Sequence, residues 1–157
     1  MLRGIGIVKD APGPFIDEVV LDSEDRHRRR VMLCGAAGVE FLLDLAEVPD
    51  LRAGDGIELS SGETVRVRAA DEPLMEIRCA DPAQLARIAW HVGNRHLPAE
   101  IAGGMLRLRA DHVIGAMIEG LGGDVRYMNG PFNPEGGAYG SRTIAPRHAH
   151  SHDHDHG

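Results

Sequence analysis

Residues 74–92 read LMEIRCADPAQLARIAWHV, and this stretch decides the fold of the second half of the chain. From Met75 to Cys79, apolar and charged residues alternate, which predicts a half-buried strand. Asp81-Pro82 then supplies a helix N-cap and a first-turn proline, and apolar residues follow at helical spacing from Leu85 to Val92. The stretch therefore predicts a strand followed by a helix that ends at Gly93.

The next residues repeat this pattern with a hairpin inserted. Alternating runs on both sides of Gly103-Gly104 predict two strands, because a two-residue glycine link suits a tight turn. Asp111 is placed to cap a second helix with an apolar stripe from Val113 to Leu121, and two glycines end it. Residues 125–127 then alternate as a closing strand. The predicted order is β-α-β-β-α-β, the ferredoxin-like arrangement.

Residues 1 to about 71 have the pattern of an all-β unit. Short β-prone runs alternate with turn-forming stretches rich in glycine, proline and aspartate, and six strands at this spacing suggest a small barrel or a sandwich. Pro73 marks the expected boundary with the second half. The predicted strands are Ile5–Val8, Phe15–Leu21, Arg30–Cys34, Val39–Leu45, Ile57–Leu59 and Thr64–Val67.

The predicted fold class is therefore α+β, with two domains and a flexible His-rich tail. We place the small all-β domain at residues 1–72, the ferredoxin-like βαββαβ domain at 73–143 and the tail at 144–157. Between the last predicted strand and the tail the chain is turn-rich, and Phe132 and Tyr139 are expected to pin it to the second domain.

The tail carries five of the nine histidines of the chain, on alternate positions. Imidazole is a common ligand for zinc, copper and nickel ions, and a short His-rich tract is typical of metal binding. The tail has no apolar residue larger than alanine, so it is predicted to be mobile. A purification tag or incidental histidines are the alternatives, although tags are usually uninterrupted. These histidines are His148, His150, His152, His154 and His156.

Three other histidines lie at helix ends. His91 falls in the last turn of the first helix, where the helix dipole favours it, and is there more often a structural residue than a ligand. His96 follows that helix and precedes Pro98, so we expect it to be exposed. A single exposed histidine is a weak metal site unless a symmetry mate brings a second one. His112, at the start of the second helix, is either a polar first-turn residue or an auxiliary ligand.

Composition narrows the functional classes. The formal net charge of −7 disfavours nucleic acid or an anionic membrane as the main partner. No signal peptide and no long apolar run is visible, so a cytoplasmic location is expected. No nucleophile elbow, phosphate loop, dinucleotide motif or zinc-protease helix occurs, so we predict no catalytic residues and no enzyme.

Two further features have alternative interpretations. Cys34 and Cys79 lie in apolar runs and are interpreted as buried free thiols rather than a disulfide or metal pair. The basic cluster 26–30 is interpreted either as a solvated strand edge or as a contact surface for an acidic protein partner. Nucleic-acid binding fits it less well, because no aromatic residues interleave with the basic ones.

Taken together, the ordered motifs resemble those of the UreE family of urease accessory proteins. The resemblance covers nearly the whole chain, and its combination of motifs is more specific than any one of them. The motifs are Arg26 to Arg30, Phe41-Leu-Leu-Asp44-Leu, Gly54-Asp55, His91-Val-Gly-Asn-Arg-His96-Leu-Pro98, Asp111-His112-Val113, Gly120-Leu121-Gly122, Pro131-Phe132, Pro134-Glu135, Gly137-Ala-Tyr139-Gly and the His-rich terminus.

This resemblance implies a nickel metallochaperone that works as a homodimer. His96 of both protomers would hold one Ni²⁺ at the two-fold axis, and tail histidines such as His148 and His150 would complete or feed that site. The amino-terminal domain would bind a peptide or partner, and the partners would be the accessory GTPase UreG and, through it, the urease activation complex. Some family members carry a further histidine where this chain has Ala110, so a second metal site with His112 is in question.

Two other functions remain open from the sequence. The chain could be a general divalent-metal storage or buffering protein, since imidazoles also bind Zn²⁺ and Cu²⁺. It could also be a peptide-binding chaperone whose histidine tail is incidental. Complex formation with a GTPase, tested with and without Ni²⁺, separates a storage protein from a nickel-delivery protein. Client binding that does not depend on metal would indicate the peptide-binding chaperone.

Overall fold

The structure, a computed structural model, describes residues 1–136. These residues form a six-stranded sheet followed by a four-stranded sheet that carries two helices. The first sheet comprises β1 Arg3–Val8, β2 Asp17–Leu21, β3 Arg30–Cys34, β4 Glu40–Asp44, β5 Gly56–Leu59 and β6 Thr64–Ala69. The second part comprises β7 Asp71–Arg78, α1 Pro82–Asn94, β8 Glu100–Ala102, β9 Met105–Arg109, α2 His112–Gly120 and β10 Asp124–Pro131.

The six strands predicted for the first half are all present, in the order β2-β6-β5-β1-β4-β3. Hydrogen bonds join them into one continuous sheet. Between residues 1 and 70 the only helical segment described is a short 3₁₀ turn, Asp25–His27, so no helix layer covers the sheet. The sheet therefore curves around its own core. That core consists of Val19, Leu21, Phe41, Leu43, Leu51, Ile57, Leu59, Val65 and Val67.

Asp17 joins one edge of this curved sheet to the turn between β3 and β4. Its carboxylate accepts backbone hydrogen bonds from Glu18 at 2.7 Å, Ala37 at 2.8 Å and Val39 at 3.0 Å. The bond from Ala37 is the largest influence that lowers the pKa of Asp17 below its ordinary value of 3.8, whereas burial opposes the shift. At Gly35 a Cβ would lie 2.0 Å from the Asp17 carboxylate, so this turn needs glycine there.

The second sheet has the order β10-β7-β9-β8 with every neighbouring pair antiparallel. The predicted element order β-α-β-β-α-β is the observed one. Gly103 and Gly104 form the hairpin turn with φ of 54° and 74°. Both helices pack on one face, where they share a core with alternate strand residues. The buried members of this core are Met75, Ile77, Ile88, Val92, Leu106, Leu108 and Ile118.

Strand β7 begins at Asp71, four residues before the predicted Met75, so Pro73 lies inside the strand. Pairing with β9 begins only at Leu74, and the Pro73 carbonyl accepts a hydrogen bond from Ala110 at 3.0 Å. The missing proline N–H therefore interrupts no hydrogen bond of that ladder.

Residues 22–27 join the two sheets through polar contacts. The backbone N and Oγ of Ser23 donate to the Glu72 carboxylate at 3.0 and 2.8 Å. Arg109 forms an ion pair of 2.6 Å with Glu24. Arg26 is 0% exposed and contacts both parts of the molecule. The predicted solvated edge or partner surface at 26–30 is therefore wrong for Arg26.

The rest of the basic cluster divides between partly buried and exposed residues. The His27 ring lies 2.7 Å from the Ser23 carbonyl and 3.1 Å from Asp50. Residues 28–30 are exposed, which agrees with the predicted solvated edge. Arg30 begins β3, an edge strand of the six-stranded sheet, so this part of the cluster does lie at a strand edge.

The two cysteines are free, but only one is partly buried. Cys34 is exposed because β3 turns Val31 and Leu33 towards the core and the alternate residues outwards, so its predicted burial is wrong. Cys79 is half-buried, and burial raises the pKa of its thiol, with a smaller contribution from Asp81. Neither helix within residues 1–136 has the length and apolar character needed to cross a lipid bilayer.

Candidate metal site

Helix α1 carries the candidate ligand at its carboxyl end. It begins as predicted, with Pro82 in the first turn and the Asp81 carboxylate accepting a hydrogen bond from the Ala83 N–H at 2.9 Å. Ile88 and Val92 bury its apolar face against the sheet. The helix ends at Asn94, one residue beyond the predicted Gly93, and its last turn leads directly into His96.

His96 terminates this helix in a left-handed backbone conformation, with φ of 56°. Its N–H donates to the Gly93 carbonyl at 3.0 Å, and the Leu97 N–H donates to the Val92 carbonyl at 3.3 Å. These two bonds are those of the Schellman motif, in which the residue at the His96 position is usually glycine. Leu97 also packs against the core that contains Val92, as the motif's hydrophobic contact requires.

A histidine in this conformation costs on the order of 1 kcal/mol relative to an ordinary backbone conformation. Within residues 1–136, Asp10 is the other non-glycine residue with positive φ. The His96 side chain is exposed, as predicted. Strain that is retained at an exposed, ligand-type side chain suggests a functional role, because a glycine there would satisfy the fold better.

An open groove of about 270 Å³ lies beside His96. It is largely apolar, and its rim includes Ile101, which is 61% exposed. Glu135 also lines it, because the chain after β10 crosses to the start of β8, where the Glu135 N–H donates to the Ala99 carbonyl at 2.7 Å. The lining residues are Ala89, Val92, Gly93, His96, Leu97, Ala99, Ile101, Leu106 and Glu135.

His91 lies one turn before the end of α1 and contacts an aromatic neighbour. The Trp90 and His91 rings meet edge to face, with centroids 5.2 Å apart, and Trp90 is 65% exposed. His91 itself is half-buried, and its carbonyl accepts a hydrogen bond from Arg95 at 3.3 Å. These contacts agree with the interpretation of His91 as a helix-end residue.

His112 opens α2 beside its cap. The Asp111 carboxylate accepts hydrogen bonds from the Val113 and Ile114 N–H groups at 2.9 and 3.1 Å. The exposed His112 ring lies 5.3 Å from the ring of Tyr127. Within residues 1–136, no group of three or more histidine, cysteine or acidic side chains could hold a metal, so neither His96 nor His112 belongs to such a cluster there.

The predicted tail ligands, and Tyr139, lie outside the described residues. Phe132, the other predicted anchor of this segment, is 0% exposed. Sequence reasoning missed Glu135 as a residue of the groove, since a residue in an irregular segment has no periodicity that reveals its neighbours. The only signal was its place in the Pro134-Glu135 motif.

Two family models match the chain: "UreE urease accessory protein, N-terminal domain" over residues 5–70 and "UreE urease accessory protein, C-terminal domain" over 72–157. A protein named urease accessory protein UreE from Bradyrhizobium sp. (strain BTAi1) is 53% identical over 132 residues, which cover 84% of this chain and 64% of the relative. A protein of the same name from Paracoccus denitrificans is 52% identical over 134 residues, which cover 85% of this chain and 84% of the relative.

A third relative of that name, from Rhodopseudomonas palustris (strain HaA2), is 53% identical over 135 residues, which cover 86% of this chain but 60% of the relative. The match thus spans less than two thirds of the length of several of these relatives.

Proposed function

The chain belongs to the UreE family of urease accessory proteins, and from this premise we propose that it is a nickel-binding metallochaperone that delivers Ni²⁺ for assembly of the urease active site. It acts as a carrier rather than as an enzyme. The observation that carries the proposal is His96: an exposed imidazole held at a helix end in a backbone conformation that favours glycine.

Within residues 1–136, one protomer offers too few ligands for a tight site, because His96 belongs to no group of three or more histidine, cysteine or acidic side chains there. The proposed site is therefore completed by a second copy of the chain. The two His96 imidazoles then share one Ni²⁺. The tail histidines at 148, 150, 152, 154 and 156 act as a reservoir or supply further ligands, and His112 is an auxiliary surface ligand.

The chemistry of imidazole suits a carrier. Imidazole binds Ni²⁺, and also Zn²⁺ and Cu²⁺, without the thiolates that hold softer metals. Only the neutral ring binds a metal, so the affinity is expected to fall in acid. Selectivity then depends on the proposed partners, which are the accessory GTPase UreG and the urease activation complex that it serves.

The architecture proposed with this function has three parts. Residues 73–143 form a ferredoxin-like domain for dimerisation and metal binding, supported by the β-α-β-β-α-β order and by the strand order β10-β7-β9-β8. Residues 1–72 form the domain that binds a peptide or partner, and residues 144–157 form the metal-collecting tail.

Titration calorimetry with Ni²⁺ on the His96→Asn variant tests the proposal. Asparagine tolerates the left-handed conformation, so the fold is retained while the imidazole is removed. We expect loss of the tightest site, whereas His112→Asn retains it and deletion of residues 148–157 mainly lowers the number of ions bound. Unchanged tight binding in His96→Asn would overturn the proposal.

A general metal-storage protein is the second candidate, since alternating tail histidines are not selective for one metal. It predicts equal behaviour with Zn²⁺ and no complex with a GTPase. Co-precipitation with the accessory GTPase, with and without Ni²⁺, separates the two.

A further inference from the structure

We propose that Glu135 is a second protein group of the His96 site, with its carboxylate facing the bound metal ion, and that Arg26 positions it from the amino-terminal half. This inference rests on the proposed function, since it assumes that a metal ion binds at His96.

Glu135 is held beside His96 by its backbone. Both residues line the same groove, and the bond from the Glu135 N–H to the Ala99 carbonyl, 2.7 Å long, ties it to the chain that leads from His96 into β8. The two residues that precede it in the crossing are also fixed, because Pro134 is buried and Asn133 accepts a hydrogen bond from Arg26. The Glu135 side chain is exposed, so the carboxylate is accessible to a metal ion in the groove.

Arg26 fixes the segment that leads to Glu135. Its Nη1 donates to the Asn133 Oδ1 at 3.1 Å and to the Leu51 carbonyl at 3.4 Å, its Nη2 donates to the Phe132 carbonyl, and its Nε donates to the Asp22 carbonyl at 3.3 Å. A buried guanidinium is strongly destabilising unless its donors are satisfied. The acceptors at 132–133 are therefore held in place, two to three residues before Glu135.

A carboxylate adds what the imidazoles lack. Two neutral imidazoles leave the double positive charge of the metal ion uncompensated. Each carboxylate, in contrast, supplies one negative charge and an oxygen ligand. At a partly apolar groove, water screens such a charge less than it does in bulk solvent. Glu135 therefore stabilises the bound ion at a site whose other ligands are uncharged.

The first test is Ni²⁺ titration calorimetry on full-length Glu135→Gln, which keeps the size of the side chain and removes its charge. We expect the tightest site to weaken on the order of tenfold, the lower end of the effect of groups that support a metal ligand. Glu119→Gln is the matched control, since Glu119 is exposed on α2 and does not line the groove. Wild-type affinity in Glu135→Gln, with binding lost in His96→Asn, overturns this inference alone. Retained binding in His96→Asn instead overturns the proposed function.

The second test is a double-mutant cycle that combines Arg26→Met with Glu135→Gln. If Arg26 acts through Glu135, the two losses of affinity are strongly non-additive. Arg29→Met is the control from the same basic cluster, since Arg29 is exposed. Asn133→Ala removes one contact of Arg26 and leaves its bonds to Asp22, Leu51 and Phe132 in place, so it replaces Arg26→Met if that variant fails to fold. Additive losses would overturn the positioning role of Arg26.

Discussion

The two helices of the four-stranded unit share their capping hydrogen bonds but end in different residues. Both have an aspartate N-cap, Asp81 in α1 and Asp111 in α2. Both end in the same pair of hydrogen bonds, because Gly122 and Gly123 donate to Glu119 and Ile118 at 3.0 Å as His96 and Leu97 donate in α1. The left-handed position, however, is Gly122 with φ of 89° in α2 and His96 in α1.

The residue at Gly122 is explained by the fold alone, whereas the residue at His96 is not. At the end of α2 only the backbone conformation matters, and the residue is the one that adopts it without steric strain. At the end of α1 the same conformation carries a side chain, and it directs an imidazole into solvent beside a groove. Three predictions test how these helix ends differ, from the largest expected change in stability to the smallest, and a fourth extends the comparison to a turn.

The largest effect is expected when the histidine that ends α1 is placed at the corresponding glycine of α2. Gly122→His is expected to lower the free energy of unfolding by about 1–2 kcal/mol, because a side chain is disfavoured at positive φ. Crowding adds little, since a Cβ there would lie 3.7 Å from Gln84. Gly120→His is the control, as nothing lies within 4 Å of a Cβ there. Urea denaturation measures both, and an unchanged stability in Gly122→His would contradict the argument.

The two N-caps should differ in strength although they share a residue type. Asp111 accepts two backbone hydrogen bonds and Asp81 accepts one. Asp111→Ala is therefore expected to cost roughly 1–1.5 kcal/mol and Asp81→Ala roughly 0.5–1 kcal/mol in urea denaturation. Asp124→Ala serves as an exposed control outside the helices. Equal losses at the two caps would show that the second hydrogen bond contributes nothing.

The reverse exchange, glycine for His96 at the end of α1, should stabilise the fold while it removes the proposed metal ligand. His96→Gly is expected to raise the free energy of unfolding by about 0.5 kcal/mol, since relief of the left-handed strain exceeds the entropy that glycine gains in the unfolded chain. His96→Val should destabilise, because a β-branched residue tolerates this conformation poorly. If His96→Gly unfolds more easily than the wild type, the imidazole contributes to stability as well as to binding.

Asp17 extends the comparison of aspartate caps to a turn, and there the effect depends on pH. Its pKa is lowered in the folded state, so its contribution to stability is complete above 3.8 and is lost as the pH falls through the folded-state value. Asp17→Asn is expected to be less stable than the wild type at neutral pH, with a difference that narrows below pH 3.8. Thermal unfolding from pH 7 to about pH 2 measures this, and a constant difference would contradict it.

Local rules predicted most of this fold. Asp81-Pro82, Asp111 and Gly103-Gly104 marked element ends correctly, because capping and tight turns depend on adjacent residues. Alternation located the strands for the same reason. The predicted burial of Cys34 was wrong because strict alternation along β3 turns this residue away from the core.

The features that the sequence did not predict depend on distant contacts. Arg26 stands in a basic cluster that indicates solvent exposure, yet it is buried because acceptors at residues 132–133 surround its guanidinium. The conformation of His96 could not be expected either, since the same position in a Schellman motif favours glycine. The groove that joins His96 and Glu135 forms only when the chain crosses from β10 to β8.

Trp90 gives the molecule a built-in optical reporter. It is the one tryptophan of the chain, it is largely solvent-exposed, and it lies against His91 on the helix that ends at His96. All tryptophan emission therefore originates within two helical turns of the candidate metal site. A protein that covers this end of α1 will shift that emission to shorter wavelength, and a paramagnetic ion bound nearby will quench it, so assembly and loading can be followed without a label.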